Sequence, residues 1–208
     1  MATNDTATSV WSRPRKATHW LVVFLVLFEV PIGYLMSYTY GPGMRDEKIG
    51  ALHRLASQFH HTAGYGLLLL GIAWLVMRLR TPRPPLPPGT SPLQSRLTLA
   101  VQAGLGLLLI AIPWSGWTAL SALADSPTYG PTHMWLFGAD RVLPRIWKPL
   151  PFDAPLGYRL FGTMHVYLIY TAGAILLVHA LAALWHHNVR RNDVFVRMWP
   201  FGTPRSRS

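Results

Sequence analysis

The stretch LFGTMHVYLIYTAGAILLVHALAALWHHNV (160–189) decides the fold, because it contains no Asp, Glu, Lys or Arg. At about 1.5 Å of rise per residue, about 20 apolar residues cross the hydrocarbon core of a bilayer. The stretch is therefore predicted to be a transmembrane helix. Two of its four histidines, His165 and His179, lie fourteen residues apart in the middle of the run.

The spacing of these two histidines places them on one face of the helix. Fourteen steps of about 100° end within about 40° of the starting direction, after a climb of about 21 Å. The two imidazoles thus lie near opposite sides of the bilayer. A polar ring at membrane depth marks a functional site, and imidazole is the commonest metal ligand in proteins. Two ligands at two depths indicate two metals.

The rest of the chain has the composition of a membrane protein. Half of its residues are hydrophobic and 13% are charged, whereas about 25% are charged in soluble domains. Four apolar stretches are each long enough to span a bilayer: about 18–36, 57–77, 97–117 and 160–185. We therefore predict an all-α membrane protein, a single domain over 1–208 built as a bundle of four transmembrane helices.

The first apolar stretch has a second interpretation, a cleaved signal peptide, because basic residues precede it at Arg13, Arg15 and Lys16. However, Glu29 and Pro31 interrupt the stretch, and no small-residue cleavage pattern follows promptly. We therefore expect it to be retained as the first transmembrane helix.

The distribution of Lys and Arg predicts the orientation. The amino-terminal arm, the second connection and the carboxy-terminal tail carry twelve of these residues, and the other two loops carry seven, diluted by acidic residues. Because cytoplasmic segments are enriched in Lys and Arg, both termini are expected in the cytoplasm of a bacterium, with the bundle in its inner (plasma) membrane.

The net charge of +11 does not indicate nucleic-acid binding. The surplus lies in short segments beside the spans, where it sets topology and contacts anionic lipid. The absence of cysteine excludes disulfides, zinc thiolate sites, cysteine-ligated iron–sulfur clusters and covalent haem attachment through C-x-x-C-H. Any metal site must therefore use histidine or methionine.

The two longer connections have different compositions. The segment TPRPPLPPGTSP (81–92) is proline-dense, which favours an extended, stiff spacer. The loop 118–158 contains aromatic residues suited to the membrane interface, and we expect it to cap the outer face: Trp135, Phe137, Trp147, Phe152 and Tyr158.

The other histidines can be sorted by depth. His19 begins the first span and matches His179, whereas His60, near the outer start of the second span, matches His165. Two imidazoles facing each other from different helices at one depth are what a bis-histidine haem requires. Such ligation leaves the iron no open position, which indicates outer-sphere electron transfer.

One adjacent histidine competes for the outer site. His61 differs in direction from His60 by about 100°, so only one of them can face the bundle interior. Gly64, one turn beyond His60, would leave room for a macrocycle edge, which favours His60. The remaining histidines are interpreted as interfacial polar residues: His53, His133, His186 and His187.

Several segments carry a family resemblance: ATHWL (17–21), FHHTAG (59–64), RLRTPRPP (78–85), IPWSGW (112–117), MHV (164–166), HALAALWHH (179–187) and RMWP (197–200). In this order and spacing, the chain resembles bacterial cytochrome b561, a four-helix di-haem b group related to the cytochrome b subunits of nickel–iron hydrogenases and formate dehydrogenases. The resemblance implies two haem b groups and the same ligand set: His19, His60, His165 and His179.

The resemblance also implies a function, the transfer of electrons between the two membrane faces with membrane quinone as a partner. One branch of the family oxidises superoxide outside and reduces ubiquinone. The chain could act as such an oxidoreductase, or pass electrons to or from a periplasmic protein. It could instead anchor a separate dehydrogenase or hydrogenase, or be a bundle without redox function. The oligomeric state stays open, a homo-oligomer included.

The four basic residues near the outer haem and the single acidic residue within a span each have two alternative roles. An anionic substrate would be attracted by basic residues near the outer haem, although anchoring at the interface or pairing with haem propionates is the stronger expectation for them: Lys48, Arg54, Arg145 and Arg159. Glu29 is the one acidic residue within a span. We expect a structural or propionate-adjacent role for Glu29, with proton transfer to quinone as the alternative.

Overall fold

The computed structural model describes residues 11–86, 89–123, 131–146 and 157–201. These residues form four long helices, one short helix and a hairpin: α1 (Arg13–Gly43), α2 (Glu47–Arg80), α3 (Pro92–Leu123), β1 (His133–Leu136), β2 (Ala139–Val142), α4 (Tyr158–Asn188) and α5 (Val194–Met198). Each long helix is apolar enough and long enough to cross a membrane. Four predicted spans are thus four helices.

The helices extend beyond the predicted spans. Residues 44–46 alone join α1 to α2, and α3 continues to Leu123, inside the segment that was predicted to be a loop. The hairpin and α5 were not predicted. Trp147 and Phe152 of the predicted aromatic cap lie outside the described residues.

Local capping explains where two helices begin. The Asp46 side chain accepts a hydrogen bond from the Ile49 backbone N–H (3.0 Å) at the start of α2. At the start of α3, Ser91 Oγ accepts from the Gln94 backbone N–H (3.2 Å), and Gln94 Oε1 accepts from the Ser91 N–H (3.1 Å). This is a capping box around Pro92, whose missing N–H costs nothing in the first turn.

The long helices pack in sequence, α1 on α2, α2 on α3 and α3 on α4. Glycines allow α2 and α3 to approach closely. A Cβ at Gly71 would lie 2.8 Å from Ile110 Cγ1, and a Cβ at Gly106 would overlap the Trp74 ring. Small residues at helix contacts are typical of membrane bundles. No residue of α4 is buried, so its apolar side chains need lipid around them.

The antiparallel hairpin pairs His133 with Val142 and Leu136 with Ala139. Its two turn residues, Phe137 and Gly138, have φ values of 52° and 75°, as the tightest hairpin turns require. We call the end of the bundle that carries this hairpin the hairpin end. The opposite end, which carries Arg13 and Asn188, is the terminal end.

Side chains of α2 hold the hairpin in place. Thr62 Oγ1 donates to the Trp135 carbonyl (3.0 Å) and accepts from the Trp135 N–H (2.8 Å). Gln58 Nε2 donates to Asp140 Oδ1 (3.1 Å). The hairpin, which lies within the loop that was predicted to cap the bundle, therefore covers the α2 side of this end.

The terminal end is fastened by side chains that bind backbone carbonyls. Arg15 donates to Met77 O (2.6 Å) and Thr81 O (2.7 Å), and so caps the carboxy terminus of α2. Arg197 donates to Pro85 O (2.7 Å) in the proline-dense connection. One residue near the start of α1 and one in α5 therefore both donate hydrogen bonds to this connection.

Candidate haem-binding sites

The structure brings together four of the predicted histidines in two pairs. We call His60 and His165 the hairpin pair; their ring centroids are 6.2 Å apart and their planes are nearly perpendicular, at 88°. We call His19 and His179 the terminal pair; their ring centroids are 6.4 Å apart, at 54°. The members of each pair come from different helices, as the matching of depths predicted.

His165 of the hairpin pair is held by α3. Its Nδ1 lies 2.8 Å from the Ile112 carbonyl oxygen and 3.3 Å from Ser115 Oγ. A carbonyl can only accept, so Nδ1 carries the proton and Nε2 keeps a free lone pair. A Cβ at Gly116 would lie 3.0 Å from His165 Cε1, so the glycine provides the surface on which the ring rests.

His60, the other member, is held by α1. Its Nδ1 lies 3.3 Å from Glu29 Oε2, and both side chains are largely buried. A Cβ at Gly33 would lie 3.4 Å from His60 Cε1. Gly64, which was expected to leave room for a macrocycle, instead faces Glu29, with a Cβ position 3.4 Å from Oε1.

The terminal pair has aromatic surroundings. The His19 ring packs edge-on against Trp20, at 5.4 Å between centroids. Trp20 in turn donates from Nε1 to Met198 O (2.9 Å) and packs edge-on against Trp199. Helix α5 and the residue after it thus cover this site. In the described part of the chain, the buried His19 Nδ1 has no hydrogen-bond partner.

The remaining histidines are engaged elsewhere. His61 lies 2.8 Å, through Nδ1, from the His133 carbonyl oxygen, so it fastens the hairpin and does not face His165. The contacts of the others also lie outside the pairs: His53 with Met36 O, His133 with Asp140, His186 with Asn192 and His187 with the Phe195 ring. The choice of His60 over His61 therefore matches the directions of the two rings.

The geometry of both pairs fits a bis-histidine metal group. Two imidazoles that bind one metal from opposite sides, by bonds of about 2 Å, place their centroids about 6 Å apart. The buried Nδ1 atoms of His19 and His60 lack an aligned hydrogen bond, and a buried polar group without a partner costs about 1–3 kcal/mol. Among the described residues, no three His, Asp or Glu side chains cluster as a metal site. The pairs therefore suit a group that brings its other ligands with it, as haem does.

The basic residues considered for an anionic substrate all lie exposed at the hairpin end: Lys48, Arg54, Arg145 and Arg159. A cavity lies beside one of them, between the end of α3 and the hairpin, with Ser121, Leu143 and Arg145 in its lining. Lys148, which shares this loop, falls outside the described residues.

Several surrounding residues were not predicted to contribute. Ile112, Ser115 and Gly116 had appeared only as part of a family segment. Two small residues soon after Pro113, Ser115 and Gly116, could have indicated a place where another helix or side chain approaches α3 closely. The sequence gives no signal for the role of the Ile112 carbonyl, because every residue has the same backbone carbonyl whatever its side chain. The contact of Glu29 with His60 depends on how α1 and α2 align, which the sequence alone leaves open.

Comparisons with known proteins show which family and which relatives this chain resembles. A family model described as prokaryotic cytochrome b561 matches residues 10–201. The probable superoxide oxidase CybB of Yersinia pestis is 26% identical over 189 residues, covering 88% of this chain and 91% of that protein. The cytochrome b561 homolog 2 of Escherichia coli (strain K12) is 29% identical over 191 residues, covering 88% and 87%.

Proposed function

The chain belongs to the prokaryotic cytochrome b561 family, and from this premise we propose that its two histidine pairs hold two b haems that carry electrons across the membrane. Haem binding and transmembrane electron transfer follow from the family itself. The observation that supports two haems is the pair of centroid distances, 6.2 and 6.4 Å, at two depths. When bound, each haem supplies reversible one-electron chemistry.

The residues of the chain contribute placement. Ile112 O fixes the His165 tautomer so that Nε2 keeps a lone pair for a metal, and Gly116 sets the position of the ring. His60 and His165 approach from α2 and α4, whereas His19 and His179 approach from α1 and α4. Helix α4 therefore supplies one ligand to each haem, so the two sites are fixed relative to one another by a single rigid element.

We further infer that the hairpin end faces the periplasm and the terminal end the cytoplasm. The surplus of Lys and Arg at the terminal end supports this orientation. Like charges are crowded at this end. Partial burial and the nearby charge of Arg78 lower the pKa of Arg83. Such a cluster suits the anionic lipid of a cytoplasmic leaflet.

The orientation can be tested with single cysteines, because the chain has none. Phe137→Cys, at the exposed tip of the hairpin, should react with a membrane-impermeant maleimide in intact cells. Leu86→Cys should react only after the membrane is permeabilised. The reverse pattern would overturn the assignment.

The electron partners are proposed to be quinone in the bilayer and a small periplasmic donor of the superoxide class. The likeness to a probable superoxide oxidase over most of both chains supports this donor, and so do the exposed cations at the hairpin end. A stopped-flow mixture of superoxide with the oxidised protein should reduce the haem, and added ubiquinone should reoxidise it. Haem that stays oxidised in superoxide, in a protein that co-purifies with a dehydrogenase, would favour a membrane-anchor subunit instead.

Haem stoichiometry tests the ligand assignment. The purified protein should give two b haems per chain by pyridine haemochrome, and each of four variants should give one: His19→Ala, His60→Ala, His165→Ala and His179→Ala. His61→Ala is the matched control, since it removes the neighbouring imidazole but should retain both haems. A folded protein without haem, or loss of a haem in His61→Ala with none lost in His60→Ala, would contradict the proposal.

A further inference from the structure

Glu29 is the one acidic side chain within the predicted spans, and the structure gives it a specific neighbour. Its side chain is 13% exposed, and Oε2 lies 3.3 Å from His60 Nδ1. Each of these two atoms is buried, and neither makes an aligned hydrogen bond within the described residues, their 3.3 Å contact with one another included. Since a buried carboxyl group without a partner is costly, the two groups are best explained as partners of one another.

The packing around this contact is reciprocal. On α1, Gly33 follows Glu29 by one turn and faces the His60 ring. On α2, Gly64 follows His60 by one turn and faces Glu29 Oε1. Each helix therefore presents one polar side chain and one glycine to the other. A methyl group at either glycine would meet the facing polar side chain at van der Waals distance, so the two helices lie close together at this contact.

Within the described residues, both rings of the hairpin pair have an oxygen atom close to Nδ1. His165 Nδ1 faces the Ile112 carbonyl, and His60 Nδ1 faces the Glu29 carboxyl group. Across the described part of the chain, the buried Nδ1 atoms of His60 and His19 both lack an aligned hydrogen bond, but that of His60 alone lies within ion-pair distance of a carboxyl oxygen. The two candidate sites thus share a ligand set but differ in what touches the ring nitrogens.

We propose that Glu29 is a positioning residue for His60, and that it lowers the reduction potential of the hairpin haem. The inference rests on the proposed haem ligation. A carboxyl group that accepts from Nδ1–H fixes the ring orientation, leaves Nε2 for the metal and makes the imidazole a more basic ligand. A more basic ligand and a nearby negative charge both stabilise the more positive, oxidised iron.

The test is a redox titration of full-length Glu29→Gln and Glu29→Ala, each also made in a His179→Ala background that leaves the hairpin haem alone. Gln keeps an acceptor oxygen but removes the charge, so the hairpin potential should rise while the haem count and the low-spin electron paramagnetic resonance signal persist. Ala should raise the potential further and change that signal. The terminal potential should stay unchanged in both.

Thr39→Val is the matched control, because it also removes a buried polar group from α1, one that bonds Leu35 O (2.7 Å) away from both pairs. It should shift neither potential. Loss of the hairpin haem alone in Glu29→Ala, with binding restored in Glu29→Gln, also supports the positioning role.

Two results would overturn the inference. Unchanged potentials in a Glu29→Ala protein that holds both haems would show that Glu29 does not act on His60, although the ligand assignment would stand. Equal shifts of both potentials would show a general electrostatic effect instead of a positioning one. A wild-type protein without haem is a separate failure, since it overturns the proposed function and this inference together.

Discussion

The hairpin pair and the terminal pair place their rings at almost the same separation by different means. At the hairpin pair, polar groups from α1 and α3 lie against the ring nitrogens, and Gly33 and Gly116 lie close to Cε1 and Nδ1 of the two rings. At the terminal pair, the Trp20 edge packs against His19, with α5 fastened beyond it. Polar contacts therefore surround one pair, and aromatic packing surrounds the other.

This difference separates two properties of a ligand. Either arrangement fixes where an imidazole lies, since close packing and hydrogen bonds both restrict rotation about side-chain torsions. Only the partner of the second ring nitrogen changes how strongly the imidazole donates to a metal. A chain with two similar ligand pairs can therefore give its two sites different redox properties.

The largest effect is expected from breaking the pairs in combination. The double variant His19→Ala/His179→Ala removes both ligands of one site and should retain one haem. The double variant His19→Ala/His60→Ala removes one ligand from each site and should retain none. Both variants lose two histidines, so each controls for the general effect of the other, and pyridine haemochrome assay gives the count. Equal haem content in the two proteins would contradict the pairing.

Much of this comparison could be predicted from the sequence. The four apolar stretches and the spacing of His165 and His179 follow from helix geometry, and the pairing by depth follows from assigning each histidine to an end of a span. These inferences depend on distances along one helix, which the chain fixes locally. The ring contacts of both pairs agree with them.

What surrounds each ring could not be predicted, because it depends on how neighbouring helices rotate and slide. The Glu29 contact needs the register between α1 and α2, and the His165 bond uses a backbone carbonyl, which every residue possesses. The role of His61 needed the hairpin, since its Nδ1 lies against the carbonyl of His133 in β1. The predicted spans were also shorter than the helices. Hydropathy marks only the part of a helix that lies in the hydrocarbon core, whereas capping groups such as Asp46 determine where the helix begins.

A smaller, local effect is expected at Gly116. In Gly116→Ala, the new methyl group would lie 3.0 Å from His165 Cε1 and 3.1 Å from Nδ1, so the ring must shift, which disturbs the contact of Nδ1 with Ile112 O. We expect a changed spectrum and weaker retention of the hairpin haem, with the terminal haem unaffected. Gly173→Ala is the matched control on α4, since its Cβ position has no neighbour within 4 Å. Identical haem spectra in the two variants would show that the close approach has no effect on the ring.

The smallest effects are expected from two indole hydrogen bonds, one at each end. Trp20→Phe removes the donor to Met198 O (2.9 Å), and Trp117→Phe removes the donor to Pro144 O (2.6 Å). A typical hydrogen bond contributes about 1 kcal/mol, which corresponds to about a fivefold change in an opening equilibrium. Each variant keeps an aromatic ring, so the packing is largely preserved.

Hydrogen exchange measured by mass spectrometry distinguishes the two ends. Trp20→Phe should speed exchange in α5 by about fivefold and leave residues 143–146 unchanged, and Trp117→Phe should do the reverse. Because α5 covers the aromatic site, only Trp20→Phe should also speed the loss of the terminal haem. If Trp117→Phe instead released the terminal haem, the two ends would be coupled through α3 and α4, and the sites could no longer be treated as separately built.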